Sequence, residues 1–512
     1  MVLMIIMASA TKISLQLLDW TPSRMRTVEA EQLITVAAAA VLAGIVMYMA
    51  NRRIRSKRSG GDLPPGTMGC LPIIGETLEY ARPNCSLMPG AFLNHRIQRY
   101  GVLFKSHLFG EAIIISTDAK VNQFILQKEG TLFKSSYPRS ILNIIGKQNT
   151  TEIHGQTHKA VRNAVLNVVG TRIRSDKTFS FISAQILKKM ETWGGRIIHL
   201  QEEATRLSFN LVINQLLSLS TTEHAAEVDY LFQNFEILVD GLLRVPINLP
   251  GMPYRRSMQA RSNVIKMIER IISEKRSKPD REISDVLDAL LAAEGSTVTR
   301  EVSIDVMVGV IFAAYETTSS IFTFATKFIT DNPRVLEALK EEHSSILNQT
   351  ACATKVALTW DSYKLMTFTE KVVKETLRLA NAGDVVFREA IEDVKVNGYT
   401  IPKGWKVMPC FIPTHMDAYK YLDPLSFNPW RWDQEHLGNA DFMPFGGGIR
   451  QCAGKELAKL EVALFIHHLV TRCRWEQVEE DEVIRSRGAK FKKGLPLYFH
   501  ECNVSRMGDI DL

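Results

Sequence analysis

Apolar residues along the chain fall into three rhythms. From Leu33 to Ala50 they are continuous, and the only polar side-chain groups are the hydroxyls of Thr35 and Tyr48. A helix of that length reaches about 27 Å at 1.5 Å per residue, near the hydrocarbon thickness of the endoplasmic reticulum membrane. Residues 33–50 are therefore expected to form one transmembrane anchor. Phe104–Leu108 and Ala112–Ser116 are short and β-rich, and the Phe109-Gly110-Glu111 break between them predicts a hairpin. Elsewhere apolar residues recur at spacings of three and four, which predicts helices over Val121–Glu129, His158–Val169, Phe179–Trp193, Glu203–Leu219 and Val228–Leu242. Val302–Phe328 is the longest apolar helical run. Its stop at Asp331-Asn332 places Asn332 as a cap and Pro333 at the first position of the next helix.

The flanks of the anchor set its orientation. Five of the eight residues Asn51–Arg58 are basic, which holds that end in the cytoplasm. A cleaved signal peptide would carry a shorter apolar segment after its basic cluster, not before it. Residues 1–32 read as a leader on the lumenal side. Residues 51–66 read as a basic, proline-rich hinge ending in Leu63-Pro64-Pro65-Gly66, where consecutive prolines stiffen the chain. Residues 67–512 are left as the catalytic body. The proline-rich, apolar stretch Arg244–Tyr254 interrupts the helical rhythm and reads as a loop.

The hydrophobic fraction of 46% is that of a globular core. The net charge of +7 is partly the hinge cluster, and no nucleic-acid partner is expected. Seven cysteines are scattered without any CxxC, which speaks against a disulfide framework or a zinc site and suits a reduced, cytosolic domain.

The chemistry concentrates in Phe445-Gly446-Gly447-Gly448-Ile449-Arg450-Gln451-Cys452-Ala453-Gly454. A cysteine sits in a glycine-rich loop, and a helical pattern follows at Leu457, Leu460, Glu461, Leu464 and His468. A loop feeding a helix N-terminus favours an anion, so a lowered thiol pKa is expected at Cys452. The run fits F-x-x-G-x-R-x-C-x-G at Phe445, Gly448, Arg450, Cys452 and Gly454, and it resembles the haem-ligand loop of the cytochrome P-450 superfamily. The resemblance covers roughly Leu63 to His500. It implies a mainly α fold with small β-sheets, a triangular helical prism whose long central helix lies over a haem, behind an N-terminal transmembrane helix.

Other segments take their meaning from the same resemblance. Ala313-Ala314-Tyr315-Glu316-Thr317-Thr318 is similar to the family's oxygen-activating motif, with Ala314 where glycine is usual, and Glu316 and Thr317 are the implied proton-handling pair. Read alone, a threonine in a buried helix bonds back to a carbonyl one turn earlier. Glu375, Arg378 and Arg431 are implied to form a buried structural network behind the haem. Arg388, Arg162 and Arg450 are the candidates for the haem carboxylates, with His158 one turn before Arg162. Phe445 and Gly454 complete the cofactor set. Val310, Ala313, Ala314, Val385 and Val386 are the candidate substrate wall, and Asp384 is its polar exception, able to bond a substrate hydroxyl or to cap a turn. Lys455 and Lys459 are placed to steer an acidic electron-transfer partner.

The implied activity is insertion of one oxygen atom from O2 into a hydrophobic substrate. Haem b is the implied cofactor, iron bound by Cys452, with electrons from NADPH through an NADPH–cytochrome P-450 reductase. The implied location is the endoplasmic reticulum membrane, single-pass, with the catalytic domain facing the cytosol. Tyr315–Thr318, Phe427–Trp432, Leu457–His468, Leu63–Gly69 and Phe104-Lys105-Ser106 resemble plant brassinosteroid, steroid and triterpenoid hydroxylases. Two rivals stay open on the sequence: a haem-thiolate isomerase or dehydratase that needs no O2, and a non-catalytic membrane-anchored haem- or sterol-binding protein.

Overall fold

In a computed structural model of the chain, the described residues are 62–502 except 70–74, 243, 245, 278–281, 296, 353–357, 434–437 and 486–487. The leader, the anchor and the basic part of the hinge lie outside them. Among the described residues the α-helices are α1 (Thr77–Tyr80), α2 (Ala91–Tyr100), α3 (Ala119–Gln127), α4 (Arg139–Ile145), α5 (Gly155–Ile173), α6 (Asp176–Glu191), α7 (Leu200–Leu217), α8 (Ala225–Asp240), α9 (Pro253–Arg276), α10 (Val286–Ala292), α11 (Arg300–Asp331), α12 (Pro333–Cys352), α13 (Trp360–Lys364), α14 (Thr367–Ala380), α15 (Ile412–His415) and α16 (Lys455–Arg472). Twelve strands are β1 (Leu103–Leu108), β2 (Glu111–Ser116), β3 (Phe133–Ser135), β4 (Arg196–His199), β5 (Arg388–Ala390), β6 (Val394–Val396), β7 (Tyr399–Ile401), β8 (Lys406–Pro409), β9 (Cys473–Gln477), β10 (Val483–Arg485), β11 (Ala489–Phe491) and β12 (Pro496–Cys502).

Among the described residues, the hairpin and each helix expected from periodicity form within a few residues of their expected limits. The hairpin pairs Leu103 with Ser116 through Leu108 with Glu111, and its Phe109-Gly110 turn takes positive φ at both residues. It starts a five-stranded sheet ordered β1-β2-β8-β5-β3. The parallel pairing of β2 with β8 carries the chain from Lys406 to Cys410, and the antiparallel β5 lays Arg388 beside Val407.

The core is helical. α11 packs against α7, α14 and α16, and most of its side chains are buried. It is apolar enough to span a membrane by length and composition, but its burial marks it as the central core helix. The Thr299 hydroxyl caps its start by accepting from the Val302 N–H at 3.3 Å. At its end the Asn332 amide donates back to the Phe328 carbonyl at 2.8 Å, so that side chain closes α11 instead of capping α12; its carbonyl accepts from Val335 N–H. With Ala314 in the usual glycine position, the helix runs unbroken through this region. The loop between α8 and α9 exposes Ile247 and Leu249.

One buried group in this core has a pH signature. Glu461 of α16 is buried and accepts from Gln215 Nε2 of α7 at 2.7 Å. Burial pushes its carboxyl up from 4.5 to about 7, against a smaller opposite effect of Gln215. The folded state therefore holds this proton more tightly than the unfolded chain. The resulting stabilisation is complete below about 4.5 and is lost as pH rises through about 7. Glu461→Gln keeps the bond to Gln215 and removes the titration. Relative to the variant, the wild type is expected to lose about 3 kcal/mol between pH 5 and pH 8 in chemical unfolding. An equal difference at both pH values contradicts this assignment.

Candidate functional site

The loop before α16 has its shape from two glycines. Gly446 and Gly448 both have φ of +66°, a region that side chains with a Cβ rarely adopt. Gly448 also lies against α3: a Cβ built there falls 2.0 Å from the Leu126 carbonyl oxygen. Gly448→Ala is expected to displace the whole loop, with haem content reduced at least about tenfold, since backbone strain and a backbone clash act together. Haem per protein, read from absorbance of the purified variant, checks this; wild-type content would refute it. Within the loop, Gly446 N–H bonds to Met443 O and Cys452 N–H to Phe445 O, each at 3.0 Å. Phe445 packs on the main core.

Cys452 is exposed as a side chain, yet protein surrounds it on most sides. That enclosure pushes its thiol up, opposed by the Gly454 N–H and by the charges of Arg162 and Lys455. The lowered value expected from the loop's position is corrected: desolvation outweighs the Gly454 amide and the two positive charges.

Arg162 of α5 donates to the Gln451 carbonyl at 2.7 Å, one residue from the cysteine. Arg450 turns away from Cys452 and binds Glu129, the Thr150 carbonyl, the Ile153 carbonyl (2.6 Å) and His154 Nδ1 (3.0 Å). Arg388 approaches the same Glu129 at 2.7 Å, but neither Arg388 Nε nor Glu129 Oε2 makes a well-directed hydrogen bond. Glu129 was not singled out on the sequence; a lone acid at the end of α3 carries no pattern. Burial, then Arg450, pushes the His158 imidazole down to about 4, so it is neutral near pH 7 and offers a hydrogen bond, not a charge.

On α11 the exposure pattern inverts locally. Ala313 and Thr317 are exposed and Val310 and Ala314 half-exposed, midway along a helix whose other faces are buried. These four share one side of the helix. The Thr317 hydroxyl donates to the Ala313 carbonyl at 2.8 Å, the bond expected of any helical threonine, which leaves its oxygen as an acceptor on the open side. Glu316 points elsewhere: its carboxylate pairs with Lys490 of β11 at 2.5 Å. Val385 bridges to Cys410, and Val386 packs beside Leu126, Phe411 and Met443.

The structure brings Glu375, Arg378 and Arg431 together. Glu375 accepts from Arg378 Nε (3.0 Å) and Nη2 (2.8 Å), Arg431 Nε (2.8 Å), Trp432 Nε1 (3.0 Å) and Asn428 N–H (3.1 Å). The arginines then bind the carbonyls of His415, Leu422 and Pro424 at 2.7–2.9 Å, fastening the irregular stretch 415–431 to α14. His415 extends this network toward the cysteine loop. Its Nδ1 meets Asn381 Oδ1 at 2.6 Å, and its Nε2 accepts from Met443 N–H at 3.0 Å. Burial holds this ring neutral, with its value pushed down to about 3. Neither His415 nor Asn381 carries a sequence signal, because their partners are distant in the chain.

The expected basic face is weaker than the sequence implies. Glu456 pairs with Lys459 at 2.8 Å and lies 3.6 Å from Lys455, so both lysines are partly neutralised. A separate cleft of about 590 Å³ between α8 and α9, lined by Asn234, Glu236 and Arg256 among others, contains none of the expected site residues.

The family description "Cytochrome P450" matches residues 64–496. A cholesterol 22-monohydroxylase of Paris polyphylla is 37% identical over 459 residues, covering 88% of this chain and 96% of that protein. A steroid (22S)-hydroxylase of Brachypodium distachyon is 37% identical over 458 residues, covering 88% and 90%. Among solved structures, the retinoic acid-bound cyanobacterial CYP120A1 superposes with a TM-score of 0.77 at 27% identity, covering 86% of this chain and 100% of that one.

Proposed function

The chain belongs to the cytochrome P450 family and is a haem-thiolate mono-oxygenase, and on that premise we propose that it hydroxylates a polycyclic isoprenoid of the steroid, brassinosteroid or triterpenoid class. When bound, the haem supplies oxygen activation, its thiolate ligand pushing electron density toward the opposite face. Cys452 is the proposed ligand.

The surrounding residues fit the group. Arg162, Arg388 and Arg450 are three guanidiniums, and among the described residues Glu129 is the one carboxylate that pairs with any of them. Two positive charges remain, matching two porphyrin carboxylates, and Arg388 Nε still lacks a well-directed acceptor. This surplus of cations, one buried and two partly buried, beside an open cysteine is the observation that carries the reading. His158 adds a neutral hydrogen bond, Phe445 and Gly454 shape the cysteine side, and Glu375, Arg378 and Arg431 hold the support behind it.

Val310, Ala313, Ala314, Val385 and Val386 form the apolar wall for the substrate. Thr317 accepts a hydrogen bond on its open side while its own hydrogen is held by the Ala313 carbonyl, and Glu316, paired with Lys490, is the ionisable group next to it in the chain that would hold a proton for delivery. Electrons come from an NADPH–cytochrome P450 reductase. Residues 33–50 anchor the protein in the endoplasmic reticulum membrane with residues 67–512 in the cytosol, the hinge 51–66 between them, and Ile247 and Leu249 toward the bilayer.

The test is holoprotein with reductase, NADPH and a panel of sterols and triterpenes. A substrate-induced Soret shift and a hydroxylated product are expected with at least one member. Thr317→Ala is expected to lower product formed per NADPH on the order of 10²-fold while leaving the ferrous–CO spectrum unchanged. A panel that neither shifts the spectrum nor yields product rules out the substrate class.

A further inference from the structure

Asp384 and Arg485 meet although a hundred residues of chain separate them. Arg485 Nη1 lies 2.7 Å from Asp384 Oδ1, and the guanidinium is only 6% exposed. It is held firmly: Nη2 donates to Ala380 O at 3.0 Å, and the Arg485 backbone bonds in both directions with Asn84. One donor is left over. Arg485 Nε is buried and has no acceptor. Asp384 pairs through Oδ1, and its side chain, 20% exposed, makes no hydrogen bond through Oδ2 among the described residues. Burial pushes the Asp384 carboxyl up even beside Arg485, a sign of poor solvation.

Both residues line a small cavity with Tyr80, Phe92, Val385 and Ile412, with room of about 60 Å³. That holds one or two waters or the oxygen-bearing tip of a ligand, not a ring system. Val385 belongs to the proposed substrate wall. Arg388, in the cation cluster, is four residues after Asp384, so the chain between spans at most about 14 Å. The cavity thus adjoins the proposed substrate wall at Val385.

We propose that Asp384 and Arg485 form a hydroxyl-reading subsite, in which Arg485 Nε–H donates to, and Asp384 Oδ2 accepts from, an alcohol group of the isoprenoid substrate. This rests on the substrate class proposed above and sharpens it to isoprenoid alcohols. An alcohol satisfies both groups, a ketone satisfies only Nε–H, and a hydrocarbon leaves both unpaired in an enclosed site.

The test measures Kd by substrate-induced Soret shift of the holoprotein for a sterol, its ketone and its deoxy analogue. Wild type is expected to prefer the alcohol over the deoxy compound by at least about 10²-fold. Arg485→Lys keeps the charge but removes Nε–H, and the preference should fall below about threefold. Asp384→Asn replaces the acceptor by a donor, and the ketone should then bind better than the alcohol, a reversal that mere loosening of the fold does not produce. Equal wild-type affinity for alcohol and deoxy analogue, or an Asp384→Asn protein that keeps the alcohol preference, overturns the subsite while leaving the steroid reading intact. If wild type binds no member of the panel, both fall together. If Arg485→Lys does not fold, the Asp384→Asn reversal decides.

Discussion

Cys452→Ser should abolish the thiolate-type ferrous–CO band and reduce product formation to background, while the far-UV circular dichroism stays that of the wild type. The fold does not need the sulfur: the loop is held by the backbone bonds of Gly446 and Cys452 and by packing of Phe445, none of which uses the side chain. The chemistry does need it. A serine hydroxyl is far harder to ionise than a thiol and is a poor partner for iron. Burial pushes the Cys452 thiol up, and a bound iron at the proposed ligand would favour the thiolate. A Cys452→Ser protein with an unchanged ferrous–CO spectrum would falsify the ligand assignment.

The second large effect is expected behind the cofactor. Glu375→Ala leaves Arg378 and Arg431 buried with no counter-charge, and Trp432 Nε1–H and Asn428 N–H lose their acceptor. Breaking a buried ion network on one side costs about 3–5 kcal/mol. Because the same arginines fasten stretch 415–431, and His415 passes that restraint to Met443, haem retention should fall along with stability. Urea unfolding and haem content are the readouts. A loss under about 1 kcal/mol with full haem content would mean that the carbonyl bonds of the arginines suffice without the carboxylate.

Much of this molecule is legible in one dimension. Helices form where spacing of three and four places one apolar face inward, and the cysteine loop is recognisable because its glycines, arginine and cysteine are close in sequence. The E-x-x-R pair is likewise local, since residues three apart share a helix face. The resemblance adds the partners that spacing cannot supply, such as Arg431 for Glu375.

What the chain's order does not contain is enclosure and long-range pairing. Glycine-loop chemistry alone predicts an acidified Cys452, and only the folded surroundings reveal that desolvation dominates. Adjacent Glu316 and Thr317 read as one unit, yet successive helix residues diverge by about 100°, so one reaches Lys490 and the other its own helix carbonyl. Glu129 between two arginines, His415 against Met443 and Asp384 against Arg485 are set by segments that meet only after folding. The sequence by itself determined the long helices, the first hairpin and which cysteine is the candidate ligand, because those depend on near neighbours. Only the tertiary structure decided which charges are compensated, because Coulomb and desolvation energies depend on distance through space and on the dielectric that the packed chain creates.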